Sequence, residues 1–395
     1  MDTKNDYTPK RRFPGFEGEW KQKEFGRMFQ KLQTGTNLLG SEQGRGIPLL
    51  KMGNIQRGYW NLTKLERLDQ EIERENIIKY GDFLFNTRNT LELVGKGATW
   101  FIQEGLYGFN SNLARVTFEN VDTIFFNYLY NIPENIQQVK SRAVGTTSVA
   151  AIYPKDMVSI KFQLPTIDEQ KKLGNFFQTI DSLITLHQHK LDKLKNLKKA
   201  YLSEMFPAEG ERVPKRRFPG FEGEWEQMRL GDIAERFDNL RVPVASKDRV
   251  SGTIPYYGAN GIQDYVDGFT HNGEFVLLAE DGANDLKNYP VHYVKGKIWV
   301  NNHAHVIQGK EDLIDNQFLL FAVKQIQIEP YLVGGGRAKL NADIMMDLPL
   351  IIPEISEQKS IGSFLMTLEK RITLQQQKLD KLNDLKKAYL NELFV

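Results

Sequence analysis

The chain of 395 residues contains no cysteine. That removes disulfide scaffolds, Cys-containing zinc sites, iron–sulfur clusters and thiol nucleophiles together, and it fits a reducing cytoplasm. Charge of one sign is lacking too: 52 Lys and Arg face 50 Asp and Glu, a formal net of +2, so any surface for an acidic polymer must be local. The six histidines show no HExxH or comparable spacing, and no metal site is expected. No apolar run approaches the ~20 residues of a membrane span, and the N-terminal region carries charge, Pro and Gly where a signal peptide has an apolar core. A soluble, unexported chain is expected, with two or three domains at roughly 150 residues each.

What is present is a repeat. Pro9 to Trp20, reading PKRRFPGFEGEW, recurs unchanged as Pro214 to Trp225, and Lys190 to Phe206 matches Lys378 to Phe394 at 13 of 17 positions. Between these anchors the copies diverge, although Asn112-Leu113-Ala114-Arg115-Val116 still aligns with Asn302-His303-Ala304-His305-Val306 and Gly46-Ile47-Pro48 with Gly252-Thr253-Ile254-Pro255. Near-identical ends around different middles suggest one scaffold carrying two different readers. The resulting division is a basic and aromatic box at 1–20, a variable domain at 21–165, a helix at 166–206, a linker with the second box at 207–225, a second variable domain at 226–352 and a second helix at 353–395.

The variable domains read as α+β. Runs such as Gly81 to Phe85 and Gly273 to Leu278, bounded by Gly, Asn and Asp, predict strands, whereas Thr123 to Tyr130 and Asn316 to Ile326 predict helices. From about Glu169 to Met205 there is no Pro and one Gly, and apolar residues recur every seven at Leu173, Ile180, Leu194 and Tyr201. Phe176, Phe177, Leu183, Ile184, Leu191, Leu197 and Met205 fill the positions between, and Ile361, Leu368, Leu382, Leu385 and Tyr389 repeat the pattern. That is a helix that packs along its whole length, about 37 residues or roughly 55 Å at ~1.5 Å each. Chain order makes the two helices partners in an antiparallel coiled coil, giving an internal pseudo-two-fold repeat. The N-terminal box is then expected beside the end of the second helix, with Phe13, Phe16 and Trp20 pinning an extended strand against helix ends.

Two motifs imitate chemistry. Glu169-Gln170-Lys171 and Glu357-Gln358-Lys359 fit the Glu-x-Lys tail of a nuclease, but they stand at helix starts. Thr166-x-x-Glu169 reads as a capping box, with Thr accepting from a free amide and Glu reaching back to another. Gly95-Lys96-Gly97 lacks the spacing and hydroxyl of a phosphate loop, and no motif for base methylation occurs. No catalytic residue is expected.

The ordered set of two variable domains, each closed by Pro-x-x-x-Glu-Gln-Lys (Pro165 to Lys171, Pro353 to Lys359), the Leu-Lys-Lys-Ala-Tyr-Leu helix ends and the stretch Gly252 to Ile262 resembles the specificity subunit of type I restriction-modification systems. The resemblance implies two target-recognition domains, each reading half of a split site in double-stranded DNA, spaced by the helices. It implies docking of two methyltransferase subunits, then of restriction subunits. S-adenosylmethionine, ATP and Mg belong to those partners, and the setting is a bacterial or archaeal cytoplasm. Over duplex rising ~3.4 Å per base pair, the helices cap half-site separation near 16 base pairs.

Cations that meet phosphate, and amides and Arg that reach base edges, are the side chains such a reader needs. The first domain offers Arg45, Lys51, Asn54, Gln56, Arg57, Arg88 and Lys96. The second offers Tyr256, Tyr257, Asn260, Gln263, Asn284, Lys287, Arg337 and Lys339. Candidates for partner binding lie on the helices: Lys190, Lys193, Lys198 and Tyr201, with Lys378, Lys381, Lys386 and Tyr389. The competing reading is a non-enzymatic scaffold whose rod carries two protein-binding heads.

Overall fold

The structure is a computed structural model, described for residues 7–334 and 338–395. It divides into two compact units that cut across chain order: unit 1 is residues 1–187 with 378–395, and unit 2 is residues 188–377. Among the described residues no helix is long and apolar enough to cross a membrane.

The long helices run Ile167–Met205 and Ile355–Leu393, 39 residues each. Within unit 1 the start of the first runs antiparallel to the end of the second: the Phe176 ring meets that of Tyr389 at 5.2 Å, and Lys386 Nζ lies 2.5 Å from Asp181. Unit 2 repeats this with Tyr201 on Phe364 at 4.8 Å and Lys198 paired with Glu369. The seam is narrower than the apolar stripe. Leu173, Phe177, Ile180, Leu191 and Met205 are buried, but Leu183, Leu197 and Leu385 remain about 40% exposed.

In unit 1, Lys21–Glu24 pairs antiparallel with Lys161–Leu164, tying the box to the strand that precedes the helix. The core sheet has the order Phe29–Thr34, Leu113–Phe118, Phe83–Asn86, Gly97–Thr99, all antiparallel. Phe83–Asn86 is buried at every position, as a strand covered on both faces must be. Small sheets flank it, Glu66–Arg67, Pro48–Leu50, Gly108–Phe109 and Val144–Gly145, Ala150–Ala151, Arg88–Asn89. In unit 2, Glu226–Arg229 pairs with Pro349–Ile352, and six strands form one sheet in the order Ala234–Arg236, Ala304–Gly309, His271–Ala279, Val291–Val300, Ser251–Gly258, Gly261–Val266. The aligned GIP segments correspond in topology: Pro48–Leu50 runs parallel to Gly108–Phe109, and Ser251–Gly258 runs parallel to Val291–Val300.

The repeat is copied to the level of single hydrogen bonds. Arg12 grips Glu169 through Nε and Nη2, both at 2.7 Å, and Arg217 grips Glu357 at 2.8 and 2.5 Å. The spare nitrogen of each Arg donates to a box carbonyl, Gly18 or Gly223. Gln170 Oε1 accepts from Asp122 N at 3.0 Å while its Nε2 donates to Pro165 O at 2.9 Å; Gln358 does the same with Asp315 N at 3.0 Å and Pro353 O at 2.8 Å. Asp122 and Asp315 in turn cap the helices Thr123–Tyr130 and Asn316–Lys324. Trp20 packs on Phe125 and Phe394, Trp225 on Phe318 and Phe206, and both indole N–H groups are buried without a partner.

These contacts change two expectations. Thr166 Oγ1 does accept from Glu169 N, at a long 3.4 Å, but the Glu169 carboxylate does not turn back to a backbone amide. A carboxylate 1% exposed needs a full charge partner, and Arg12 provides it. The box is not an extended strand either; Gly15 and Gly18 hold φ of +92° and +78°, and strand begins only at Lys21. Its aromatics do reach the helix: Phe13 meets Phe176 at 5.4 Å. The end of the second helix lies beside the N-terminal box as expected, with Arg11 N donating to Glu392 O at 2.9 Å.

Candidate nucleic-acid interface

Unit 1 spends most of its candidate cations internally. Lys51 is paired with Glu66, and Lys96 Nζ donates to Gln56 Oε1 at 2.7 Å. Arg57 reaches only the Glu92 carbonyl, at 3.4 Å. Burial lowers the pKa of both Arg57 and Lys96, and the Arg57 charge lowers that of Lys96 further. Asn54 is a buried staple, accepting from Lys51 N and donating to Asn61 O and Lys64 O, so it has nothing left to read with. Arg45 and Arg88 are exposed. Arg88 lines a cavity of about 310 Å³ together with Asn37, Asn112 and Tyr153, three residues that composition alone did not single out. The internal match of Asn112 to Asn302 was the available signal for one of them.

In unit 2 the loops at one end of the six-stranded sheet are stitched together. Asn260 Nδ2 donates to Gly282 O at 2.9 Å and its Oδ1 accepts from Asn284 N at 2.9 Å, joining the Gly258–Gly261 turn to the following loop. Lys287 N donates to Asp285 Oδ1 at 2.9 Å. Gln263 accepts from Asn301 at 3.4 Å, and Asn301 N donates to Tyr257 O at 3.0 Å. His303 Nδ1 sits 2.5 Å from Asp281 Oδ1, a pair missed in the sequence because its members are 22 residues apart. Tyr257 is half-buried, and burial raises its pKa. Tyr256 is a correction: it is 1% exposed, stacked on Trp299 beneath Arg249, with its hydroxyl accepting from Val244 N, so it packs and cannot touch a base. Arg337 lies outside the described residues.

Beneath those loops Asp238, Glu280 and His305 bring ligand-type atoms within 4.8 Å of one another. Their charge is met by side chains. His305 Nδ1 is 2.6 Å from Asp238, and Glu280 takes Arg241 and Lys339, each at 2.6 Å. Burial alone would raise the pKa of both carboxyls, but these partners hold them below the usual range. Lys339 is therefore a clamp on the loop rather than a free cation. A metal would have to displace two basic side chains.

Among the helix candidates, Lys190, Lys193, Lys378 and Lys381 are exposed. Lys198 and Lys386 are instead held by Glu369 and Asp181, because the antiparallel segment places an acid opposite each. Tyr201 and Tyr389 carry Arg216 and Arg11 over their rings at 5.3 and 5.4 Å, so both serve to dock the boxes.

Known proteins are similar to this chain in sequence and in fold. The family model for the type I restriction modification DNA specificity domain matches residues 17–196 and again 222–384. A Haemophilus influenzae chain named as a type I restriction enzyme specificity subunit is 48% identical over 149 residues, which span 38% of this chain and 38% of that relative. A Methanocaldococcus jannaschii chain named as such a subunit is 23% identical over 403 aligned residues, covering 95% of this chain and 92% of the other. In fold, the crystal structure of a type I restriction-modification S subunit from M. genitalium matches with a TM-score of 0.72 over 98% of this chain and 99% of that one, at 15% identity.

Proposed function

This chain belongs to the type I restriction-modification DNA specificity family, as a specificity subunit of such a system, and on that premise we propose that its two heads each read one half of a split site in double-stranded DNA. The observation that supports this most is the contrast between copies. The Arg–Glu, Gln–Asp and Trp–Phe contacts recur in both units, while the sheets and loops they support differ.

The helices act as the spacer. At ~1.5 Å per residue, each helix of 39 residues measures about 58 Å, longer than one turn of duplex at ~34 Å. Their exposed lysines and open leucine rows, Lys190, Lys193, Lys378, Lys381, Leu183 and Leu197 among them, are the surface we assign to two methyltransferase subunits, with restriction subunits joining that core. S-adenosylmethionine, ATP and Mg act on those partners, in the cytoplasm of the host, and this chain contributes selection and geometry. Near-neutral total charge suits that division of labour, since bound partners supply much of the affinity and local side chains choose the sequence.

The test is to combine the chain with the methyltransferase encoded beside it and map methylated bases in DNA. A split motif is expected, and exchanging residues 21–165 for another head should change one half only. Failure to form a complex, or a continuous motif, overturns the reading.

A further inference from the structure

One cavity in unit 1 gathers polar side chains that the fold leaves unengaged. Among the described residues Arg88, Asn37 and Asn112 all line it, and none of the three side chains has a hydrogen-bond or ion-pair partner. Yet the backbone beneath Arg88 is fixed from two sides. Arg88–Asn89 pairs with Ala150–Ala151, Ile152 N donates to Thr87 O at 2.9 Å, and Thr87 donates to Asn112 O through N at 2.8 Å and Oγ1 at 3.1 Å. A pinned main chain carrying unpaired forked donors is pre-organised for a ligand that presents acceptors. Tyr153 adds an exposed aromatic face, and Lys155 Nζ stands 5.8 Å from that ring, placing a cation at the rim.

Resting on the functional reading above, we propose that Arg88 is a specificity-determining residue of unit 1 and that the half-site it reads contains a guanine recognised through the major groove. The guanidinium presents two parallel N–H groups, and guanine is the base whose major-groove edge offers two acceptors, O6 and N7. Asn37 and Asn112 are amides of the type that pair with adenine, so the neighbouring position falls to them. The other candidate cations are less suited: Lys51 and Lys96 already serve the protein's own acceptors, Arg57 is part-buried with one nitrogen directed to Glu92 O, and Arg45, though exposed, does not line this cavity. Arg88 has no internal bond to lose, so its replacement leaves the fold intact.

The experiment uses the complex of the full chain with its methyltransferase subunits, comparing wild type with Arg88→Ala and Arg88→Lys. Methylated motifs are mapped, and binding is measured on duplexes varied at each position of the half-site, including 7-deazaguanine substitutions that remove N7. Arg88→Ala should make one position of one half-site degenerate, lowering discrimination there on the order of 10- to 100-fold, with thermal unfolding and the other half unchanged. Arg88→Lys should not restore it, since the fork is lost. Equal weakening on every sequence, with a salt dependence shallower by about one phosphate contact, would assign Arg88 to the backbone and overturn base reading. An unchanged motif overturns it as well. A wild-type complex that methylates no split motif would instead sink the functional reading, and the role of Arg88 with it.

Discussion

Unit 1 and unit 2 agree where they meet the long helices and disagree where they end in loops. At the helices the same atoms meet at nearly the same distances: Arg12 with Glu169 and Arg217 with Glu357, Phe125 stacked on Phe394 at 5.5 Å and Phe318 on Phe206 at 5.5 Å. At the loops, unit 2 relies on side chains, with Asn260, Asp281, Glu280, Arg241 and Lys339 bonded across segments. Unit 1 uses side-chain staples elsewhere, such as Asn54 to Asn61 O and Lys64 O, but it holds the Arg88 segment by short strand pairs and leaves Arg88 unbonded. A buried, fully paired network tolerates little change, because removing one member strands another. Loops held by their own backbone can exchange side chains freely. The two heads therefore show two ways to order a variable loop on one fixed base.

Matched substitutions test how far the agreement extends. Glu169→Ala and Glu357→Ala each leave a largely buried guanidinium without its partner, and each should cost about 3–5 kcal/mol. Denaturant unfolding followed by hydrogen exchange should place the two losses in unit 1 and unit 2 respectively, with equal size; a loss in one unit alone would break the equivalence. Smaller, and opposite to ordinary helix propensity, is the effect of Gly174→Ala and Gly362→Ala. Ala normally gains roughly 1 kcal/mol over Gly inside a helix. Here a Cβ would stand 2.8 Å from Phe125 N or 2.7 Å from Phe318 N, at the capped start of the helix packed beneath. Net destabilisation of about 1–3 kcal/mol is expected by calorimetry, again alike in both.

The smallest effect should separate the heads. Residues 21–165 contain no histidine, whereas residues 226–352 contain four. Burial holds the pKa of His271 and His292 below the ordinary imidazole value, with the Lys324 charge lowering that of His292 further. As pH falls through about 6.5, unfolded chains take up protons that the folded unit resists, so stability is lost toward acid and present above that value. Amide protection in His271–Ala279 should fall between about pH 7 and pH 5 while that in Phe83–Asn86 holds. Protection falling equally in both strands would remove histidine as the cause.

The scaffold was legible because periodicity and repetition are properties of one dimension. Leu173, Phe177 and Ile180 declare a helix by spacing, and the duplicated box declares a second unit by identity. Pairing is different: Arg12 and Glu169 are 157 residues apart, and only their joint recurrence as Arg217 and Glu357 links them before the fold is known. The interface was the least legible part. Lys51, Lys339 and Arg88 all read as cations in loops, but Glu66 and Glu280 engage the first two and nothing engages the third. Residue type states what a side chain offers, and only tertiary structure states whether the offer is already taken.

Unit 1 is completed by residues made long after those that begin it. Leu393 and Phe394 are buried with Trp20 and Phe125, whereas unit 2 is drawn entirely from residues 188–377. On the ribosome, unit 2 thus has its full complement of core residues first. Trp20 and Phe125 lack the Phe394 ring until residues 378–395 have been made, so the head that is translated first is the last to gain its full core.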